Sequence, residues 1–267
     1  MTATVIDELR RGGWWTSSRA LAGRSIRGVL RQPQAFVPGL VFPLFFTAVN
    51  AAALDRARML DGFPEVDSYL SFLLPATLIQ GIMFSATTAG NDVALDIQNG
   101  FFDRLVSSPV SRLSLLLGRL AGIAIYGFGL AVVFTALLVA FGASVQAGVA
   151  GVVVLAVTSS LVAIAIGAFS MAIGFRKGSV EEVQGYFPIF FTLVFLSSAF
   201  FPPELTGGWF ETIAGLNPVS WMVNGLRTLV IRGWEWQGAL LALGTGAGLA
   251  AFLVGVAALG LRARLRQ

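Results

Sequence analysis

The chain has 267 residues, of which 56% are hydrophobic and only 12% are charged. A soluble domain carries about twice that charged fraction, so the composition is that of a membrane protein. The sequence contains no cysteine and no histidine, which excludes disulfide frameworks, thiol nucleophiles, ordinary hydrolytic triads and zinc sites. The net charge is +4, but the basic residues lie at the ends of apolar segments rather than in one patch, so we expect no binding of nucleic acid.

The N-terminal region, residues 1–34, is rich in arginine and lacks the contiguous apolar core of a signal peptide, so we expect no cleaved leader. From residue 15 to residue 31 its helical positions sort into an apolar face and a basic face. This pattern predicts an amphipathic helix in the membrane interface, with its arginines toward the lipid headgroups; the alternative is an ordinary positively charged tail. The residues of the predicted helix are Trp15, Ile26 and Val29 on the apolar side and Arg24, Arg27 and Arg31 on the basic side.

Six stretches are apolar and long enough for a helix to cross a hydrocarbon core of about 30 Å, which takes roughly 20 residues. A helix satisfies all of its backbone polar groups internally, as the lipid interior requires. The predicted fold class is therefore all-α: a polytopic membrane protein with six transmembrane helices in a domain of residues 35–267. The spans are predicted at 35–54, 69–90, 120–141, 149–175, 185–201 and 238–261.

The basic residues predict the orientation of these spans. Fourteen of the 18 lie before the first span, in the second and fourth connections, or after the last span. The other side holds only Arg56, Arg58, Arg227 and Arg232. Because positive residues are retained in the cytoplasm, both termini and residues 91–119 are predicted to be cytoplasmic, in a multi-pass protein of the cell membrane.

A short amphipathic helix is predicted at about 96–110, within the second connection. In "NGFFDRLVSSPVSR" (99–112) the apolar side chains share one arc of a helix and the polar ones share the other, and Pro109 ends the helix. The apolar arc is too short to cross a membrane, so it packs on the span ends, on lipid headgroups or on another protein. A solvated loop is the alternative, but it would not need two adjacent phenylalanines. The apolar arc contains Phe101, Phe102, Leu105 and Val106, and the polar arc contains Asn99, Asp103, Arg104 and Ser107.

The segment of about 202–237, between the last two predicted spans, is too long for a tight turn and too apolar for a free loop. It carries four of the six tryptophans, and tryptophan prefers the membrane–water boundary. We predict two short helices, at about 208–216 and 218–231, that dip into the outer interface as a re-entrant pair. Asn217 is the expected cap of the second helix and Pro218 its first residue. The alternative is an external cap, anchored by aromatic residues, with no part in transport.

A substrate path is predicted at mid-membrane side chains of two spans. The candidates are Thr77 and Gln80 in the second span and Phe190, Phe191 and Phe195 in the fifth. The alternative is that these residues only pack or face lipid. Clear aspartate or glutamate residues are missing from the spans, which argues against a carrier driven by protons or sodium through carboxylate relays.

The order of these elements resembles that of the membrane subunit of type-2 ABC exporters. "DIQNGFFDRLVSSPVSRLSLLLGRL" is similar to the Asp, Gly, Asp-Arg, Ser-x-Pro and Gly-Arg pattern of the family's daunorubicin-resistance branch. "AFFPPELTGGWFETIAGLNPVSWMVNGLR" is similar to the family's aromatic, proline-rich external segment. The first match contains Asp96, Gly100, Asp103, Arg104, Ser107, Pro109, Gly118 and Arg119, and the second contains Pro202, Pro203, Trp209, Asn217, Pro218, Trp221 and Arg227.

The resemblance implies a permease that pairs with a second copy, or a close paralogue, and with two ATP-binding-cassette ATPase subunits on separate chains. It implies contact with the ATPase at Asp96, Gly100, Phe101, Phe102, Asp103, Arg104, Leu105, Ser108 and Pro109. No G-x-x-x-x-G-K-[ST] loop occurs in the sequence. The chain is therefore predicted to be a transport subunit rather than an enzyme, without a cofactor of its own, and the partner subunit binds ATP and Mg.

The expected function is ATP-driven export of a hydrophobic drug-like molecule or lipid. Within the same family, the alternative is a polysaccharide or glycolipid exporter. Outside it, the alternatives are a nucleotide-independent secondary carrier or a channel. An intramembrane enzyme would need convergent acids, histidines or metal ligands in the spans, and none is visible.

Overall fold

The computed structural model describes residues 33–107, 112–202 and 205–266. In these ranges the chain is helical and contains no strand, in agreement with the predicted all-α class. The predicted interfacial helix, Ser108, Pro109 and Pro203 lie outside them. The described helices are α1 Pro33–Leu54, followed by a 3-10 turn Asp55–Met59, α2 Tyr69–Ala86, α3 Thr88–Gln98, α4 Phe101–Ser107, α5 Arg112–Ala140, α6 Gly148–Lys177, α7 Val180–Gly185, α8 Phe187–Phe195, α9 Gly208–Leu216, α10 Pro218–Ile231 and α11 Trp236–Arg264.

Five helical segments within the described ranges are long and apolar enough to cross a membrane, which supports a multi-pass membrane protein. They are Gly39–Met59, Tyr69–Gln98, Leu116–Ala140, Gly148–Lys177 and Trp236–Arg264. The second combines α2 and α3 across a break at Thr87, whose hydroxyl donates a hydrogen bond to the Phe84 carbonyl at 3.3 Å.

The count of six spans is not confirmed, because the stretch predicted as the fifth, 185–201, is not one continuous helix. It divides at Tyr186 between α7 and α8. Pro188 lies in the first turn of α8, where it has no amide proton to extend the hydrogen-bond ladder of α7. After Phe195 the hydroxyl of Ser197 donates to the Val194 carbonyl at 2.6 Å, a local bond that competes with helix continuation.

Helix α6 lies at the centre of the bundle and packs against α3, α5 and α11. It approaches α3 closely where Gly174 and Gly90 face each other. A Cβ on Gly90 would lie 2.4 Å from the Ser170 carbonyl oxygen, and a Cβ on Gly174 would lie 2.7 Å from the Gly90 carbonyl oxygen. These two glycines therefore allow the backbones to approach to van der Waals contact, as small residues do between membrane helices.

The two ends of the bundle differ. The α4 end contains α4, the last turns of α6 and α11, and α7, which share clusters of buried apolar residues. The α10 end contains α9, α10 and the loop before α6, whose Gln146 and Ala147 amides donate to the Val230 and Leu229 carbonyls at 2.9 and 3.0 Å. Helix α1 flanks the bundle. Only 11% of its most apolar stretch is buried, against 88% for the segment that combines α2 and α3.

Candidate functional site

Helix α4 begins directly after a left-handed turn. Gly100 has φ +65°, a conformation that glycine adopts without strain and that commonly ends a helix. Its amide donates to the Ile97 carbonyl at 3.0 Å, which closes α3. No heavy atom would lie within 4 Å of a Cβ at this position. The link between α3 and α4 is thus a turn with open space around it.

The apolar arc of α4 packs on the span ends, the first of the three possibilities that the sequence left open. Phe102 is only 4% exposed, and its ring centroid lies 5.8 Å from that of Phe175 near the end of α6. Phe101, Leu105 and Val106 are half-buried. Phe102 therefore serves the contact of α4 with its own bundle.

The opposite face of α4 is polar and exposed. Asp103 and Arg104 both point to the surface, and the hydroxyl of Ser107 donates to the Asp103 carbonyl at 2.8 Å. Asp103 and Arg104, both predicted to contact the ATPase, therefore lie on the surface of the bundle.

Asp96 and Arg119 form an ion pair between α3 and α5, beside the base of α4. Their side chains are 13% and 11% exposed, and a terminal nitrogen of Arg119 donates to Asp96 Oδ2. The carboxylate of Asp96 thus faces α5 in this structure. The sequence showed both residues as parts of one pattern but gave no signal for their pairing, because they lie 23 positions apart on different helices.

The turn between α6 and α7 is a second polar element at the α4 end, of which the sequence indicated only the positive charge. Ser179 caps α7 by accepting from the Glu182 amide at 3.3 Å. Its hydroxyl also donates to Glu181 Oε2 at 2.6 Å, which lowers the pKa of that carboxyl. A Cβ on Gly178 would lie 3.2 Å from the side chain of Ile97, so the turn packs on the end of α3.

The predicted path residues of the second span are buried in the bundle. The hydroxyls of Thr77 and Thr47 lie 2.6 Å apart, and Thr77 donates onward to the Leu73 carbonyl at 3.0 Å. Gln80 is fully buried, and neither atom of its amide has a hydrogen-bond partner among the described residues. Thr77 therefore joins α1 to α2, whereas Gln80 is an unpaired amide in an apolar span.

Two of the predicted path phenylalanines, Phe191 and Phe195, belong to a closed ring of six phenylalanine side chains. Successive ring centroids lie 4.4 to 6.2 Å apart, which is the range of favourable aromatic contact. Phe190 lies outside this ring and packs edge-on against Phe169 of α6, at 5.1 Å. The phenylalanine ring consists of Phe42, Phe46, Phe195, Phe191, Phe187 and Phe84, and it joins α1, α2 and α8.

At the α10 end, α9 and α10 have the bounds predicted for the external pair. Asn217 caps α10 by accepting from the Val219 amide at 2.9 Å. Its amide nitrogen donates to the Leu193 and Leu196 carbonyls at 2.7 and 3.0 Å. Asn217 therefore also fixes α10 to the end of α8, a role that its capping motif did not indicate.

Arg227 is buried, although the sequence placed it among the loop charges. Its guanidinium donates to the carbonyls of Phe72, Ser198 and Ala199 and to Asn224 Oδ1, at 2.9 to 3.3 Å. Arg227 thus ties α10 to α2 and to the turn after α8. A cavity of about 240 Å³ adjoins it, lined by Pro64, Phe72, Pro202, Asn224, Arg227, Thr228, Ile231 and Arg232.

Trp209 and Trp221 are exposed at the same end. Trp209 lies in the first turn of α9. The indole nitrogen of Trp221, in α10, donates to the Gly215 carbonyl at 2.8 Å. The described residues contain no group of three or more acidic, cysteine or histidine side chains that could hold a metal ion.

Comparison with known proteins shows that this chain is similar to transport permeases. A daunorubicin resistance ABC transporter permease of Streptomyces coeruleorubidus is 29% identical over 194 residues, which are 72% of this chain and 65% of the relative. Relatives from Pyropia yezoensis and Porphyra purpurea, named as transport permeases, are 25% and 23% identical and cover 79% and 85% of this chain, and 72% and 78% of their own lengths. The chain thus spans just under two thirds of the Streptomyces relative.

These relatives are named as transport permeases and not as enzymes, which agrees with the predicted transport subunit. The resemblance inferred from the two motifs is also confirmed. The family model for the ABC-2 type transporter matches residues 16–231, most of the chain. The chain therefore belongs to the ABC-2 type transporter family.

Proposed function

We propose that this chain is the permease subunit of an ATP-driven exporter that moves a hydrophobic drug-like molecule or lipid out of the cell. Two ATP-binding-cassette ATPase subunits on separate chains bind ATP and Mg and power it. The observation that carries the proposal is the construction of α4: Phe102 fixes the helix to α6, and Asp103 and Arg104 remain exposed beside it. One face thus attaches to the spans and the other is open to a partner.

The α4 end is assigned to the cytoplasm. Arg176, Lys177, Arg262 and Arg264 all lie in the last turns of helices at this end, and positive residues are retained inside. The opposite end then faces outward, with α9 and α10 in the outer interface. The exposed Trp209 and Trp236 at that end suit the boundary between lipid and water.

The proposed mechanism needs no chemistry in this chain. ATP binding closes the two ATPase subunits and displaces α4, and the contact of Phe102 with Phe175 passes this displacement to α6. The spans tilt, and a path opens outward between two permease copies, or between this chain and a close paralogue. The equilibrium shifts because the ATPase contacts α4 differently in its two states.

The expected cargo follows from the flank formed by α1 and α8. Neither helix contains a charged residue, and their exposed side chains include Val41, Phe45, Ile189 and Leu193. Such a surface fits a hydrophobic molecule or membrane lipid better than a polysaccharide, whose hydroxyl groups need hydrogen-bond partners when they leave water. The name of the Streptomyces relative, which refers to daunorubicin resistance, supports a drug-like cargo.

The test is reconstitution of the chain with its ATPase in lipid vesicles, with daunorubicin as the probe. We expect ATP-dependent transport in the wild type, and loss of both transport and ATPase co-purification in the double variant D103R/R104D. The matched control is D55R/R58D, which reverses a half-buried ion pair of 3.1 Å at the opposite end. Full transport and normal co-purification in D103R/R104D would exclude α4 as the docking element.

A further inference from the structure

We propose that the Asp96–Arg119 ion pair positions α4, so that a displacement of α4 reaches the spans instead of being lost at the Gly100 turn. The inference rests on the proposed function and concerns two residues that act through α4 rather than by touching the ATPase. It starts from their placement: Asp96 lies in the last turn of α3 and Arg119 lies in α5. Helix α4 lies between them in the sequence.

The Gly100 turn alone is a poor transmitter of force. Its backbone is left-handed, and a side chain at this position would contact nothing within 4 Å. No contact at position 100 itself therefore opposes rotation of α4 against α3. Within the described residues, the contact of Phe102 with Phe175 holds α4 to α6. The Asp96–Arg119 pair holds together α3 and α5, the helices before and after α4 in the chain.

The pair is suited to act as a rigid link. Both side chains are about nine-tenths buried, and a charge-assisted bond of this kind is stronger and more directional than an exposed one. The other terminal nitrogen of Arg119 is buried without a hydrogen-bond partner among the described residues, so Asp96 is the group that compensates the guanidinium. Loss of Asp96 would leave that charge unpaired, and α5 would separate from α3.

Loss of the ion pair is expected to impair the coupling of ATP hydrolysis to transport and to leave the binding of the ATPase intact. With the pair intact, a displacement of α4 moves α3 and α5 together, and with them the spans of which they are part. With the pair broken, the exposed Asp103 and Arg104 still bind the ATPase, but α4 turns about Gly100. ATP is then hydrolysed without a matching amount of transport.

The first test compares the wild type, D96N, R119Q and the swap D96R/R119D, each reconstituted with the ATPase. The readouts are ATPase co-purification, ATP hydrolysis and molecules of daunorubicin moved per ATP. We expect normal co-purification in R119Q, and transport per ATP lower by about tenfold in both single variants, within the range of coupling energies between contacting residues. The swap restores part of the loss. Wild-type transport per ATP in D96N and R119Q would overturn the proposal.

A second test stays informative even if the swap fails to fold. The chain contains no cysteine, so D96C/R119C can be joined by a short thiol cross-linker in a complex with a cysteine-free ATPase. We expect low transport per ATP before cross-linking and recovery afterwards, in the same protein sample. Single-cysteine variants treated with the cross-linker are the controls. An unchanged number of daunorubicin molecules moved per ATP after cross-linking would contradict the positioning role.

The two proposals fail in different ways. Absence of ATP-dependent transport by the wild-type complex refutes the exporter function itself. Wild-type transport, together with an unchanged ratio in D96N and in D96C/R119C, refutes only the positioning role of the pair.

Discussion

The guanidinium carbon of Arg227 lies 3.7 Å from the ring centroid of Phe72, a cation–π contact between α10 and α2. The same guanidinium donates to the Phe72 carbonyl at 3.3 Å. Arg227 therefore contacts both the backbone carbonyl and the ring of Phe72. This contact fixes the α10 end of the bundle to the second span.

Replacing Arg227 by lysine is expected to destabilise the protein in spite of the retained charge. An ammonium group cannot reproduce the planar fork that reaches Ser198, Ala199 and Asn224 together. Each lost bond to a charged donor costs roughly 1.5–3 kcal/mol. The midpoint of thermal unfolding in detergent measures the effect, with the exposed Arg232, changed to lysine, as control. Equal midpoints for the wild type and R227K would show that the bonds contribute little.

Replacing Gln80 by methionine is expected to leave stability unchanged or to raise it. The substitution nearly keeps the side-chain volume and removes two buried polar atoms without partners, each of which costs about 1–3 kcal/mol. Thermal unfolding and daunorubicin transport are measured on the same variant. A stable Q80M with reduced transport would support the predicted path, whereas a stable Q80M with full transport would favour the packing alternative. A marked loss of stability would show that the amide has a partner after all.

Replacing Gly90 by alanine is expected to separate α3 from α6. The new Cβ would lie 2.4 Å from the Ser170 carbonyl oxygen, closer than any tolerated contact, and overpacking of this kind costs roughly 1–3 kcal/mol. Gly129 in α5 is the matched control, because a Cβ there meets nothing within 4 Å. Protease sensitivity of the α4 segment and thermal unfolding report the change. G90A and G129A with the same behaviour would contradict the close contact.

The spans that the sequence located correctly are those with unbroken apolar runs, since hydropathy alone decides whether a long helix suits lipid. The Asn217–Pro218 pair likewise placed the start of α10, because the capping signal is local. The fifth predicted span is not confirmed as a single helix. Its composition is apolar throughout, which favoured a span, but Pro188 and Ser197 interrupt its hydrogen-bond ladder.

Contacts between residues that lie far apart in the chain could not be predicted from this one sequence. Nothing in the neighbourhood of Arg227 indicates that four acceptors from three parts of the chain converge on it. The pairing of Asp96 with Arg119 is equally invisible, since either residue could face water at a helix end. Burial of Phe102 by its own bundle, rather than by a partner, depends on the position of Phe175.

The ring of six phenylalanines and the α10 end are held by different kinds of contact: aromatic packing in the ring and hydrogen bonds at the α10 end. The interplanar angles of neighbouring rings range from 15° to 70°, so these contacts do not require one fixed tilt. The bonds of Arg227 and Asn217, by contrast, break when their partners move by about an ångström. Asn217 holds the carboxyl end of α8 to α10, and the Thr47–Thr77 bond holds α1 to α2. The phenylalanine ring is therefore expected to let the first half of α8 tilt about its anchored end.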